Sequence, residues 1–337
     1  MNASLATELT PGAVRSEDGT RIGYLRVGRG PALVLLHGSN QSGRSLTGLA
    51  LALADEFTVY LPDRRGRGAS GPHRPDHGIR TEVADFAAVV QESGADMVFG
   101  ISSSGLIVLE AARTLPQIRK IALYEPALLR ADETRYTDWL PRFDREMAAG
   151  KVGAALITCM YGFDLAPAAM RVMPRGLLAA LTDKAMSAED KKSGPGDVTM
   201  RALAPTLRWD CVILGQMAGS LTTFANIDQD VLLMSGTKKG PRFLMPALDD
   251  LAATLPHNRR VTLPGLDHGS PADPSQTNSG GNPTAVAPPS ASSSPSHDNR
   301  PPRPRKRNGP RTFRLAERYF IRRSGECGIA GSVSLRW

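Results

Sequence analysis

Five residues whose types suit acid–base and nucleophilic chemistry stand at equivalent places in the chain. His37, Asp63, Ser102, Glu125 and His268 each follow closely on a short apolar run of the kind that forms a buried strand. Acyl transfer by serine needs a nucleophile, a base to take its proton, and a group to orient that base. The sharpest local signal lies at residues 97–112. The run Met97-Val98-Phe99 stops at Gly100, six residues of Gly, Ser and Ile follow, and Leu106, Ile107, Leu109 and Ala112 continue with helical spacing. This pattern predicts a strand, a tight turn and a helix, with Ser102 at the apex. A serine so placed exposes its hydroxyl above the sheet, and the helix N-terminus points at negative charge forming beside it. The plainer alternative is a turn with an N-cap, so the rest of the chain must decide.

The remaining elements place the other candidates. Strands are predicted at 12–16 and 21–28, joined by Glu17-Asp18-Gly19, a hairpin signal. A strand at 32–36 ends at His37-Gly38-Ser39-Asn40, and a helix at 45–54 follows. A strand at 57–61 leads into Pro62-Asp63-Arg64-Arg65-Gly66-Arg67-Gly68-Ala69-Ser70. Residues 79–93 form an amphipathic helix with Val83, Phe86, Val89 and Val90 on one side. A strand at 118–124 ends at Glu125-Pro126. Strand–helix alternation then stops, and residues 127–226 are helical in pattern, rich in Met and broken by prolines. It resumes with a strand at 231–235, a helix at 244–255, a strand at 260–263 and Gly265-Leu266-Asp267-His268. Such alternation implies an α/β fold with a mostly parallel sheet covered by helices on both faces. Ligands bind at the C-terminal ends of the strands in such sheets, the edge on which the five residues converge.

Composition narrows the function classes. The chain has 337 residues, and its three cysteines, Cys159, Cys211 and Cys327, are far apart without metal-ligand spacing. Reduced thiols and a cytoplasmic location are expected. The first eight residues lack a basic region followed by an apolar stretch, and no apolar run approaches the length of a membrane span. Residues 289–337 hold eleven Lys or Arg against three Asp or Glu, which accounts for the whole formal charge of +8. The body therefore offers no electrostatic case for nucleic acid or membrane partners. The tail, rich in Pro, Ser and Arg, cannot bury a core and is expected to be disordered. It reads as a basic arm or, better, as an extension of no selected function. No phosphate loop, metal-ligand cluster or dinucleotide fingerprint appears.

Taken in order, these motifs resemble the α/β-hydrolase family over about residues 10–290. His-Gly follows the third strand, Asp-x-Arg-Gly-x-Gly-x-Ser the fourth, the elbow G-x-S-x-G the fifth, a helical insertion the sixth, and Gly-x-x-His the last. The elbow departs in one place: Ser104 holds the last glycine position and Gly105 follows, a small residue for a small residue. Ile101 stands where the family often has His. The resemblance implies a hydrolase core at 1–126 and 227–288, a helical cap at 127–226 and the tail at 289–337. It implies a serine hydrolase of carboxylic esters or related small acyl compounds, working through an acyl-enzyme on a small-molecule substrate without a cofactor. Ser102 is then the nucleophile, His268 the base, and the backbone N–H groups of Ser39 and Ser103 the oxyanion donors.

The orienting acid departs from the commoner pattern. The family usually supplies it after strand seven, where Gly236-Thr237-Lys238-Lys239-Gly240 has no carboxylate. Asp228 and Asp230 precede that strand, and Asp249 and Asp250 lie in the next helix. Some relatives carry the acid at the end of strand six, which here is Glu125. Asp267 adjoins His268 and is poorly placed to reach its far ring nitrogen. Asn40 is a candidate substrate contact, with a turn role as the alternative. His37 reads as structural, Asp63 and Arg65 as holding their loop, and His73 and His77 as residues of a Pro-rich surface loop. The Met and Leu residues of the insertion either line an apolar pocket or pack its helices on the sheet. Two other functions fit the scaffold: ligand binding or regulation without hydrolysis, and cofactor-free haloperoxidase-like or C–C bond chemistry.

Overall fold

Eight strands form one sheet in the order β1-β2-β4-β3-β5-β6-β7-β8. They are β1 (Thr10–Arg15), β2 (Arg21–Gly28), β3 (Ala32–Leu36), β4 (Thr58–Pro62), β5 (Met97–Ile101), β6 (Lys120–Tyr124), β7 (Asp230–Gly236) and β8 (Asn258–Leu263). The computed structural model describes residues 8–287 apart from Pro195, Lys239, Gln276 and Thr277, so the tail at 289–337 lies outside the described residues. β1 and β2 form the predicted hairpin, whose turn places Gly19 at φ 79°, where a glycine is favoured. β2 also runs antiparallel to β4, and every pairing from β4 through β3 to β8 is parallel. Burial follows position in the sheet. All five residues of β5 are buried, while the edge strand β8 alternates between half-buried and exposed.

The eleven helices among the described residues are α1 (Thr47–Leu53), α2 (Ile79–Ser93), α3 (Ser103–Ala112), α4 (Leu140–Ala148), α5 (Val152–Gly162), α6 (Ala168–Arg171), α7 (Arg175–Lys192), α8 (Met200–Leu203), α9 (Leu207–Met217), α10 (Leu244–Thr254) and α11 (Pro283–Val286). Side chains of a strand alternate between the two faces of the sheet. Val34, Leu36 and Val98 therefore pack with α2, α3, α9 and α10, whereas Leu33, Leu35 and Phe99 pack with α1 and α11. The prolines of the 127–226 stretch mark helix starts: Pro141 lies in the first turn of α4, and Pro167 and Pro174 immediately precede α6 and α7. No helix among the described residues is long and apolar enough to cross a membrane.

The helical stretch is fastened to the sheet by charge as well as by packing. Asp210 of α9 is fully buried and pairs with Arg67 at 2.7 Å and Arg64 at 2.8 Å, both in the loop after β4. Trp209 beside it stacks on His73, with ring centroids 5.3 Å apart. The loop at 72–78 lies at the surface as expected, with Pro72, Arg74, Pro75 and Asp76 exposed, but its two histidines turn inward. His77 is buried and pairs with Glu82 at 3.1 Å, and His73 is half-buried, because the Trp209 ring of α9 packs against both.

Removing one partner of a buried ion pair strands the other charge away from water. Asp210→Ala is expected to lower the unfolding free energy by about 3–5 kcal/mol, read from the midpoint of urea unfolding. A loss under about 1 kcal/mol, the size of a surface pair, would contradict this anchoring role.

Candidate active site

Ser102 is the single residue between β5 and α3. Its φ of 53° and ψ of −121° lie in a region that side chains rarely occupy, a strain worth about 1–3 kcal/mol that the surroundings must hold. They do so through the backbone. The Ser102 N–H donates to Tyr124 O at 3.1 Å, and its carbonyl accepts from Gly105 N–H at 3.0 Å and Ala127 N–H at 3.1 Å. Two glycines permit the crossing. A Cβ on Gly100 would sit 3.1 Å from Gly105 Cα, and a Cβ on Gly105 would meet Pro126 Cβ at 2.8 Å. The crowding thus falls on 105, leaving room for a side chain at 104. The Ser104 hydroxyl is buried; it accepts from Ile101 N–H at 2.7 Å and lies 2.7 Å from Leu36 O. The departure from the glycine pattern therefore ties the ends of β3 and β5 together.

Glu125, directly after β6, also has positive φ, 44°. Its N–H donates to Met234 O at 2.9 Å, which aims the side chain across the end of β7. The carboxylate is buried. Oε1 accepts from Gly236 N–H at 3.0 Å, and Oε2 lies 2.8 Å from His268 Nδ1. The loop carrying His268 is fixed independently. Tyr124 Oη donates to Asp267 O at 2.8 Å, and the Asp267 carboxylate accepts from Gly269 N–H at 3.0 Å. Asp267 thus builds the turn, and the carboxylate on the His268 ring is Glu125. The other candidates lie elsewhere: Asp230 opens β7, Asp249 pairs with Arg260, and Asp250 pairs with Arg130 at 2.8 Å.

The loop after β3 forms the opposite wall. A Cβ on Gly38 would be 3.5 Å from Ser102 Cβ, so the backbone there runs close against the elbow. Gly38 N–H donates to Gln41 Oε1 at 2.9 Å, and Asn40 has φ 54°. The Asn40 Oδ1 atom is buried without a hydrogen-bond partner among the described residues. Ser39 Oγ donates to Ser103 Oγ at 2.9 Å. His37 is structural: fully buried, it lies with Nδ1 2.9 Å from Gly38 O and accepts from Arg64 N–H at Nε2. Burial, aided by Arg67 and Arg64, holds its pKa well below the ordinary 6.5.

Behind this wall lies a buried charge network that sequence reasoning missed. Arg64 is bidentate to Glu82, at 3.0 and 2.8 Å, and pairs with Asp210. Burial opposes its charge, but the carboxylates of Glu82 and Asp210 outweigh it and raise the guanidinium pKa. Arg65 is bidentate to Asp85, at 2.8 and 2.7 Å, and also pairs with Asp18. Asp63 accepts from Gly43 and Ala69 N–H groups, so Asp63 and Arg65 do hold the loop, through separate partners. The signal was available. Glu82 and Asp85 share a helical stripe with Phe86 and Val89, and three arginines within residues 64–67 need partners.

Ser102 and His268 both face one cavity of about 370 Å³. Gly38, Ser39 and Asn40 line it near Ser102, and the helical stretch supplies an apolar side that includes Leu156, Met160, Phe163 and Leu207. The methionines divide as expected of adaptable fillers: Met160 and Met200 line the cavity, whereas Met186 is fully buried in the packing.

The strand order, the sharp turn at Ser102 and a cavity at the strand C-termini are those of the α/β-hydrolase fold. A family model described as "Alpha/beta hydrolase family" matches residues 33–279, and the chain belongs to that family. Among curated relatives, a pimeloyl-[acyl-carrier protein] methyl ester esterase of Xanthomonas axonopodis pv. citri (strain 306) is 27% identical over 247 residues, covering 72% of this chain and 89% of the relative. Among solved structures, an alpha/beta hydrolase from Sphaerobacter thermophilus DSM 20745 is 31% identical with a TM-score of 0.64, covering 82% of this chain and 97% of that one. A thermophilic esterase from Thermogutta terrifontis shares the fold at 16% identity and a TM-score of 0.55, over 77% of this chain and 91% of its own.

One buried and one half-buried imidazole, those of His37 and His73, make stability depend on pH. Burial, then His77 and Arg67, lower the His73 pKa to about 3, and His37 is lowered likewise. Below the ordinary value of 6.5 the unfolded chain binds protons that the folded chain refuses. Their contribution is therefore complete above that value and is lost as pH falls, for His37 by up to about 1.4 kcal/mol per pH unit. Urea unfolding should show stability falling between about pH 6.5 and 5; a flat or rising profile on acidification would contradict the neutral state of both rings.

Proposed function

We propose that the chain is a serine hydrolase of small carboxylic esters, with residues 127–226 acting as a cap over a core formed by 1–126 and 227–288. Ser102 Oγ attacks the ester carbonyl carbon while His268 Nε2 takes the hydroxyl proton. Glu125 fixes the ring with hydrogen on Nδ1 and stabilises the imidazolium. The backbone N–H groups of Ser39 and Ser103 hold the tetrahedral oxyanion. Collapse breaks the bond to the alcohol oxygen, which leaves with the proton from His268. Water then attacks the acyl-serine by the same route, releasing the acid and restoring Ser102. The observation that carries this reading is the 2.8 Å contact between His268 Nδ1 and buried Glu125, beside a strained serine on the same cavity.

The cavity's size and apolar side favour a substrate with a small apolar acyl or alkyl group. The curated relatives named as methyl ester esterases support the ester class. Asn40, with its strained backbone and an Oδ1 that has no hydrogen-bond partner among the described residues, is the proposed substrate contact at the cavity wall. Cys159 and Cys211 are buried free thiols, in keeping with the cytoplasmic location included in the proposal.

Steady-state turnover of p-nitrophenyl butyrate tests the roles. Ser102→Ala should abolish turnover, and Glu125→Gln should lower kcat by about 10⁴, because an amide cannot stabilise the imidazolium. Asp249→Asn and Asp250→Asn should stay near wild type. Equal activity in wild type and Ser102→Ala would overturn the mechanism; an active Glu125→Gln beside a dead aspartate variant would overturn the assignment of the acid.

A further inference from the structure

The residues after the elbow and after the His-Gly pair touch each other by side chain. Ser39 Oγ donates to Ser103 Oγ at 2.9 Å, and Arg64 Nη1 donates to the same Ser103 oxygen at 3.3 Å. Ser39 half-faces the cavity, whereas Ser103 and Arg64 are buried. Arg64 has little freedom of its own. Glu82 of α2 grips it with two hydrogen bonds, Asp210 of α9 lies 2.8 Å from its Nη1, and its backbone N–H is spent on His37. A chain of polar contacts thus runs from α9 through Arg64 to the two serines.

We propose that the hydroxyls of Ser39 and Ser103, backed by Arg64, form a clasp that sets the separation of the two backbone N–H groups assigned to the oxyanion. The proposal rests on that assignment. Its physical content is geometric. Oxyanion donors act only when preorganised at hydrogen-bond distance from the charge that develops. One donor sits at the start of α3, fixed by the elbow. The other sits in the β3–α1 loop, next to the strained Asn40. A hydroxyl-to-hydroxyl bond across the gap ties this donor to the one on α3, and the guanidinium holds the accepting oxygen in place. The charge stays balanced locally, since Arg64 and Arg67 face Glu82 and Asp210. Ser39, Ser103 and Arg64 are accordingly positioning residues.

The clasp contributes most once negative charge forms, so its loss should lower kcat and leave KM nearly unchanged. Ser39→Ala and Ser103→Ala keep both N–H groups and every ion pair of Arg64. Each should lower kcat on p-nitrophenyl butyrate about 10-fold, less than the 10²–10³ of deleting a donor outright. The double variant should be little worse than either single one, because both remove the same bond. Ser39→Thr, which keeps the hydroxyl, should restore most of the rate. Arg64→Lys should lower kcat in the wild-type background and not in Ser103→Ala. Should that variant fail to fold, the serine cycle decides alone. Unchanged kcat in the alanine variants, or fully additive losses, would overturn the clasp while the serine mechanism stands on an inactive Ser102→Ala. Equal rates in wild type and Ser102→Ala would overturn the mechanism and the clasp with it.

Discussion

The contact between Glu125 and His268 joins residues 143 positions apart, and the geometry of the site depends on it. It demands that β6, β7 and β8 lie side by side in register, since Glu125 leaves β6, crosses Gly236 at the end of β7, and meets the loop after β8. A buried carboxylate is costly unless its oxygens are occupied. One oxygen takes a backbone N–H of β7 and the other takes the imidazole, so folding of the sheet edge and orientation of the ring are one event. Tyr124, one residue earlier, adds its hydroxyl to the His268 loop. Two adjacent residues, Tyr124 at the end of β6 and Glu125 after it, thereby position the His268 ring and its loop.

Strain gathers at the same place. Among the described residues, four that are not glycine have positive φ, and three of them, Asn40, Ser102 and Glu125, are site candidates. Each stands just beyond a parallel strand, where the chain must turn sharply to present a side chain above the sheet. The compensation comes from polar contacts around the site: backbone bonds to Ser102 from β6 and α3, the Ser104 hydroxyl between β3 and β5, and the buried arginine network beneath the β3 and β4 loops. Strained positions persist only where the surroundings over-determine them, and these surroundings do.

Most of this was legible in the sequence because it is local or periodic. Continuous apolar runs named the buried strands, and α2 at Ile79–Ser93 matches its predicted span. The position of each candidate after a strand placed them on one edge. With no carboxylate after strand seven, the resemblance to relatives that carry the acid after strand six made Glu125 the candidate, and its carboxylate lies 2.8 Å from His268 Nδ1. What escaped was pairing at long range. Asp210 looks like an ordinary residue of an amphipathic helix until α9 docks on Arg64 and Arg67. His73 and His77 look like exposed loop residues until Trp209 packs against their rings. Unlike Glu125 and His268, Asp210 and Trp209 stand in no motif of the family, and a sequence read window by window does not show which buried charges will meet. The local traces were the pair of carboxylates, Glu82 and Asp85, on the buried stripe of α2 and the three arginines within residues 64–67.

The central claim is that this edge of the sheet makes Ser102 a reactive nucleophile through His268. It is tested most directly by treating the folded protein with a fluorophosphonate and locating the adduct by peptide mass spectrometry. The account predicts a single modification on Ser102, formed rapidly in wild type and slowed by orders of magnitude in His268→Ala. An adduct on another residue, or none on folded wild-type protein, would contradict it.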